Sequence, residues 1–276
     1  MALAFSKMHG IGNDFVVLDC RQHACALDAA QIRKMGDRHL GVGFDQLLTI
    51  EQDETADCVF RYAIWNRDGS PSGQCGNGVR CVAAWLARDG SLEAGLVRLM
   101  SPSGPVRVEV LADARVRVDM GEPRFSPADV PFAATTECDR YRIDVAGRTI
   151  EIGAVSMGNP HAVIDVADVD QAEVGVLGPQ LAHAEVFAQG CNVGFAQILS
   201  RSAIALRVWE RGVGETLGCG SGACAAMAVM HRRRQVDDEV EIRLPGGALL
   251  IQWQGPGHPF LITGPATFVF EGVWHE

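Results

Sequence analysis

The sequence predicts an α/β protein of the α+β type, built as two similar domains, each a curved mixed or antiparallel sheet wrapped around one central helix. Three observations carry that expectation: a long-range internal repeat, a predominance of strand-like segments, and two helical segments that are apolar on most sides. In the repeat, Trp65-Asn66-Arg67 followed by Gln74-Cys75-Gly76-Asn77-Gly78 recurs 144 residues on as Trp209-Glu210-Arg211 followed by Gly218-Cys219-Gly220-Ser221-Gly222. Gly12-Asn13, leading into Phe15-Val16-Val17-Leu18-Asp19, recurs 146 residues on as Gly158-Asn159, leading into His161-Ala162-Val163-Ile164-Asp165. Gln46 and Asn192 stand at the same spacing, each before an apolar run. Offsets of about half the 276-residue chain mean one duplication and not a short-period solenoid.

Taken in order, strands are expected over 15–19, 46–51, 58–65, 97–100, 106–111 and 116–120, then over 141–145, 203–209, 240–244 and 248–253, because several alternate apolar with polar residues. The 111–115 stretch reads as a hairpin loop. Asp28 is suited to cap a helix running through His39, and 168–184 has helical stretches interrupted by Gly175, Gly178 and Pro179. The helices over 78–87 and 223–230 follow the two cysteine turns directly, and such apolar helices belong in cores. Between the halves, residues 120–127 have the Gly/Pro character of a connection, so the second domain is expected to begin near 120.

Composition narrows the function. A 47% hydrophobic content supports a real core, and a net charge of −10 with a pI near 5.3 argues against nucleic acid as a partner. The short Arg232-Arg233-Arg234 run is expected to serve the carbonyls and dipole at a helix end. The N-terminal residues Met1–Lys7 lack a secretory pattern and no apolar segment is long enough to span a bilayer, so no membrane partner and a cytoplasmic location are expected. Nine scattered cysteines suit free thiols in a reducing compartment.

The chemistry centres on Cys75 and Cys219. A helix N-terminus offers unpaired N–H groups and partial positive charge, which lowers a nearby thiol's pKa and can also hold a carboxylate. Gly76, Gly78, Gly220 and Gly222 let the backbone approach a ligand. Two matched turns related by a pseudo-twofold axis would place two acid/base groups opposite each other. Cys81 and Cys224 read as small core residues, and their intervals from Cys75 and Cys219 are too wide for the usual structural zinc spacing, so no metal is expected. Only Lys7 and Lys34 could form a Schiff base, and neither lies in a glycine-rich phosphate site, so no cofactor is expected. His161 and Glu210, which replaces Asn66 of the first copy, are the ionisable residues best placed to tune the thiols.

With Met8-His9-Gly10-Ile11-Gly12-Asn13-Asp14-Phe15, Gln74 to Cys81, Met157-Gly158-Asn159-Pro160-His161 and Trp209 to Gly222 in hand, the chain resembles the diaminopimelate epimerases nearly end to end. The resemblance implies a cofactor-independent epimerase interconverting LL- and meso-2,6-diaminopimelate, on the route to lysine and peptidoglycan. It implies Cys75 and Cys219 as the catalytic pair, assisted by His161 and Glu210. Asn13, Gln46, Asn66, Gly76, Asn77, Asn159, Asn192, Glu210, Arg211, Gly220 and Ser221 then line the substrate site. It further implies two α/β domains, 1–119 plus about 265–276, and 120–264. A homodimer is also implied, and where the family carries a supporting tyrosine this chain has Phe270.

Three other readings remain distinguishable. A proline or hydroxyproline racemase would usually follow its first thiol with Gly-His and not Gly76-Asn77. An isomerase of the phenazine-biosynthesis type would lack the cysteine pair. From another class, a redox protein would join Cys75 and Cys219 reversibly.

Overall fold

A computed structural model describes residues 2–53, 58–93 and 95–275. Met1 and Glu276, the outer ends of the expected first domain, lie outside the described residues. In chain order the first elements are β1 (Ala2–Gly10), β2 (Asn13–Asp19), α1 (Ala29–Gly36), β3 (Gln46–Gln52), β4 (Phe60–Asn66), β5 (Pro71–Ser72), α2 (Gly76–Arg88), β6 (Gly95–Ser101), β7 (Gly104–Val110) and β8 (Val116–Asp119). There follow β9 (Tyr141–Val145), β10 (Arg148–Ser156), β11 (Pro160–Asp165), α3 (Val174–Ala182), β12 (Asn192–Ser200), β13 (Ala203–Glu210), β14 (Gly214–Thr216), α4 (Gly220–Arg232), β15 (Glu239–Leu244), β16 (Gly247–Gln252), β17 (Leu261–Gly264) and β18 (Thr267–His275). The protein is therefore mixed α/β and dominated by sheet, with few helices. Two compact units divide it, residues 1–119 with 263–276, and residues 120–262.

Strand register shows that the repeat is structural. In the first unit β2 pairs parallel with β3 so that Phe15 faces Gln46, and in the second β11 pairs parallel with β12 so that His161 faces Asn192. Leu47 opposite Trp65 on β3 and β4 is matched by Val193 opposite Trp209 on β12 and β13. Trp65 opposite Pro71 is matched by Trp209 opposite Glu215. A one-residue slip would turn every side chain to the wrong face, so identical registers fix identical faces.

Each sheet has a helix on both faces. In the first unit, alternate residues of β2 and β3 separate: Val16, Leu18 and Leu47 pack with Ile32 and Met35 of α1, while Phe15 and Leu48 approach Gly78 of α2. In the second unit, Ile164, Val193 and Phe195 pack with Val174, Leu177 and Leu181 of α3, while Val208 approaches Gly222 of α4 and Gly153 receives Val229. Helices α2 and α4 touch strands all around them, which is why their apolar residues are buried on nearly every side. No helix among the described residues is long and apolar enough to cross a membrane.

Several expectations need correction. The helix capped by Asp28 has the full capping box with Gln31 but ends at Gly36, because the Asp37 carboxylate accepts from the His39 and Leu40 N–H groups and draws them into a turn of its own. Gly175, Gly178 and Pro179 do not interrupt their segment but lie within α3; a Cβ at Gly178 would sit 2.7 Å from the Trp209 side chain, so glycine permits the close helix–strand approach. The cysteines are not all free thiols. Cys20 and Cys25 form a disulfide, since the chain leaving β2 folds back and brings their Cα atoms to 5.4 Å, within bridging range. The remaining seven are thiols outside that bridge. Arg232 and Arg233 do stand at the C-terminal end of α4, where the Arg233 backbone N–H meets the Val229 carbonyl, but their side chains reach Glu137, the Asp139 side chain and the Asp139 carbonyl of a neighbouring acidic segment and not the helix carbonyls. Strands β1, β10, β12 and β18 extend the sheets beyond the segments expected from alternation.

Candidate active site

Both cysteines begin their helices as N-cap residues. Cys75 and Cys219 have extended backbones, and each sulfur accepts the N–H of the residue three further on, Gly78 and Gly222, at 3.4 Å in both cases. Sulfur thus occupies the place usually taken by a serine or aspartate oxygen, and it meets a donor at the positive end of the helix dipole. Glycine is needed at that position: a Cβ on Gly222 would lie 3.2 Å from the Cys219 sulfur and 3.0 Å from Val208, and one on Gly78 would crowd Leu48 and Phe15. Gly76, Asn77 and Gly220 are buried in the first helical turns, with Ser221 half-buried.

In the first unit, the β1–β2 hairpin turns at Ile11 and Gly12, both in the left-handed region, with φ of 47° and 85°. The turn delivers Asn13, whose Oδ1 accepts from Asn77 Nδ2 at 3.3 Å and lies 3.6 Å from the Cys75 sulfur. Gln46 and Asn66 oppose each other at the adjoining ends of β3 and β4, and Gln46 Nε2 donates to Asn66 Oδ1 at 3.0 Å. Asn66 in turn donates to Ser70 Oγ. Asn13, Asn77 and Cys75 form one bonded cluster, and Gln46 and Asn66 form a second. Tyr62, fully buried on β4, has its hydroxyl pKa raised first by burial and then by its electrostatic interaction with the neighbouring Cys75.

In the second unit, His161 is buried at the start of β11 beside Asn192, its register neighbour on β12. Its Nε2 lies 3.1 Å from Asn159 Oδ1 and 3.5 Å from Asn192 Nδ2. Burial, reinforced by the Arg211 charge, pulls its pKa down to about 3, so the ring is neutral. An amide oxygen and an amide N–H thus meet at the same ring nitrogen, with the Asn192 orientation set by the Arg211 N–H on its Oδ1. Asn192 Oδ1 accepts the Arg211 N–H at 2.8 Å, and the Arg211 guanidinium reaches the Gln189 carbonyl.

Glu210 and Ser221 are brought to the second thiol. Burial pushes the Cys219 thiol well above its ordinary pKa, the Glu210 carboxylate pushes it further, and Ser221 and the Gly222 N–H partly oppose them. Thr216 on β14 donates to Glu210 Oε1 at 2.6 Å. Cys81 and Cys224, expected in the core, are fully buried, and burial lifts the Cys81 thiol to about 12.

Sequence reasoning missed Thr216, Arg80 and Asp45. Arg80 is fully buried in α2, donating to Gly76 O and Asn77 Oδ1 and to Pro265 O, so it braces the turn that holds Cys75. An arginine amid the apolar run of that helix was the available signal.

A family model described as diaminopimelate epimerase matches residues 5–126 and 153–269. Curated proteins named diaminopimelate epimerase are similar along nearly the whole chain. One from Xanthomonas campestris pv. campestris is 50% identical over 275 residues, covering 99% of this chain and 97% of its own. Another from Ectopseudomonas mendocina is 48% identical over 272 residues, covering 99% of each. Among solved structures, a probable proline racemase from Agrobacterium radiobacter has a TM-score of 0.70 at 18% identity, over 98% of this chain and 92% of that one. A phenazine biosynthesis protein of the PhzF family from Bacillus anthracis has a TM-score of 0.68 at 13% identity, over the whole of both. At those identities the likeness is one of fold alone.

Proposed function

The chain belongs to the diaminopimelate epimerase family, and on that premise we propose that it interconverts LL- and meso-2,6-diaminopimelate by proton transfer through Cys75 and Cys219. One cysteine, as thiolate, takes the α-proton from one face of the reacting carbon and becomes a thiol. The other, as thiol, gives its proton to the opposite face and becomes a thiolate. Configuration inverts with no net gain of protons, and the reverse reaction exchanges the roles. The observation that carries this reading is the pair of sulfurs, each capping a helix 3.4 Å from a glycine N–H.

The remaining roles follow from chemistry. N–H groups at Gly76-Asn77 and Gly220-Ser221 open the two helices, where they suit the substrate carboxylate and the negative charge that grows on it as the α-proton leaves. Glu210 raises the proton affinity of Cys219, and His161, kept neutral by burial, offers a hydrogen-bonding ring beside Asn159 and Asn192. Arg211 pairs with a carboxylate at the distal end of the substrate, while the carboxamides of Asn13, Gln46, Asn66, Asn159 and Asn192 serve ammonium and carboxylate alike. No cofactor or metal is assigned a step; Lys7 is committed to Asp14 and the Gly43 carbonyl, which argues against its use in a Schiff base.

We also infer a cytoplasmic homodimer with no nucleic-acid or membrane partner. The exposed apolar residues Val269, Phe270 and Val273 of β18 support association, and sedimentation of the native protein and of Phe270→Asp tests it. A native monomer would end that part of the reading.

The deciding experiment is incubation with LL-diaminopimelate in deuterated water under reducing conditions. Meso product carrying solvent deuterium at the inverted α-carbon is the expected result. Exchange with proline alone would move the assignment to a racemase, and activity that requires an oxidant would favour redox chemistry.

A further inference from the structure

The charged groups behind Asn13 form a closed set. Lys7, buried on β1, donates to the Asp14 carboxylate and to the Gly43 carbonyl. Arg38 joins Asp14, at 2.7 and 3.0 Å, to Asp45, at 2.7 Å. The two aspartates also exchange backbone contacts: Asp14 N–H donates to Asp45 Oδ2 at 3.2 Å, and Asp45 N–H to Asp14 Oδ1 at 3.1 Å. Burial alone would raise the Asp14 carboxyl, but the bonds from Arg38 and Lys7 together outweigh it and bring it down to about 2.

This set has one outlet toward the site. Asp45 Oδ2 accepts from Asn13 Nδ2 at 2.9 Å. A carboxylate can only accept, so the amide nitrogen of Asn13 must face Asp45 and its carbonyl must face the other way. On that other side lie the Cys75 sulfur at 3.6 Å and Asn77 Nδ2 at 3.3 Å. Without Asp45 the carboxamide would keep only the longer 3.3 Å bond from Asn77 Nδ2, whose own orientation Arg80 sets, and in the molecules where it turned over a thiolate-favouring N–H would replace the acceptor beside the sulfur. The second unit lacks the device: at the same 146-residue spacing, Pro160 stands for Asp14 and Cys191 for Asp45.

We propose that Asp45 is a positioning residue of the reaction: it fixes the Asn13 carboxamide so that Cys75 faces a hydrogen-bond acceptor and keeps its proton. The proposal rests on the reading of Cys75 as one of the two acid/base thiols. Other groups facing Cys75 are constant in the test that follows. Tyr62 on β4 and Cys81 in α2 interact with it electrostatically, and Arg80 is held by Gly76 O, Asn77 Oδ1 and Pro265 O. Asp14, with Lys7 and Arg38, stands behind Asn13.

The test compares Asp45→Ala with Asp45→Asn by iodoacetamide alkylation against pH, read separately for Cys75 and Cys219 by peptide mass spectrometry. In Asp45→Ala the Cys75 midpoint should fall by about one pH unit, because an N–H can now reach the sulfur. Asp45→Asn removes the charge but keeps an acceptor oxygen, so it should hold the native midpoint. Epimerisation kcat should drop about tenfold in the first variant and recover in the second. The Cys219 midpoint should stay constant in both. An unchanged Cys75 midpoint in Asp45→Ala would overturn the proposal. So would equal shifts in the two variants, which would report lost charge and not orientation, or a matching shift at Cys219, which would report general loosening. Failure of the native protein to act on diaminopimelate would remove the proposed function, while the thiol profiles would still decide the orientation of Asn13.

Discussion

The Cys75 and Cys219 turns are alike in backbone and opposite in surroundings. Each sulfur caps its helix at the same 3.4 Å, yet Cys75 is partly exposed beside the Asn13 carboxamide, while Cys219 is buried beside the Glu210 carboxylate. The duplicated part is what any thiol needs to reach a substrate carbon: a helix start and a glycine that lets an N–H approach. On the proposed mechanism, the divergent part decides where the proton rests. The Asn13 carboxamide beside Cys75 and the Glu210 carboxylate beside Cys219 are the clearest case, because a neutral acceptor and a full negative charge bias a neighbouring thiol by different amounts.

The most severe way to break the comparison is to remove one sulfur at a time. If the proposed two-thiol mechanism holds, Cys75→Ser and Cys219→Ser should each lower epimerisation kcat by about 10³-fold, since a hydroxyl is a far weaker base and the other thiol would serve only one face. Chiral chromatography of the product measures it. Near-native turnover by either variant would mean that the two turns are not a catalytic pair.

His161 sharpens the contrast through pH, because its counterpart at the 146-residue spacing is Phe15, equally buried and unable to titrate. The folded pKa of His161, about 3, lies below its ordinary 6.5, so the unfolded chain binds the proton first. Its contribution is therefore complete above pH 6.5 and is lost progressively as pH falls toward 3. The unfolding free energy from urea titrations should decline by a few kcal/mol across pH 6.5 to 4, and His161→Phe should flatten that decline. The Asp14 carboxyl, with a folded value near 2 against 3.8, acts only below that window. An equal decline in the variant would place the titrating group elsewhere.

Glu210→Gln makes the second turn more like the first. Loss of the carboxylate should bring the Cys219 pKa down, so that its alkylation at fixed pH becomes faster, and kcat should fall about 10²-fold as the proton is held less firmly. Unchanged alkylation at Cys219 would show that burial alone sets that thiol.

What the sequence revealed and hid follows the same division. The glycines, the tryptophans and the apolar helices were legible because their reasons are local: a left-handed φ, a close approach, or a face with no polar partner. The α/β architecture and its duplication could be read from them. The thiols could be placed at helix N-termini, but that each sulfur itself accepts the capping N–H was not legible, since cysteine is not among the usual capping residues. Nor was the set Lys7, Asp14, Arg38 and Asp45, whose members come from four parts of the chain and meet only when β1, β2 and the approach to β3 assemble. Strands β1 and β10 escaped alternation because Lys7 sits buried in one and Gly153, filled by Val229, sits in the other. The Cys20–Cys25 pairing depended on a fold-back that no spacing rule supplies.

The mildest test lies at Thr216, which donates to Glu210 Oε1 at 2.6 Å and has Ser72 as its counterpart 144 residues earlier. Hydrogen bonds to charged groups contribute about 1.5–3 kcal/mol when retained, but Glu210 is only partly buried and water can replace the hydroxyl. Thr216→Val, which preserves shape, should therefore cost about threefold to tenfold in kcat with KM nearly unchanged, because the carboxylate loses its fixed direction toward Cys219 and not its charge. Thr216→Ser keeps the donor and should restore the native rate. If Thr216→Val raised KM and left kcat alone, Glu210 would be holding substrate in preference to the Cys219 proton, and the difference between the two turns would be one of binding.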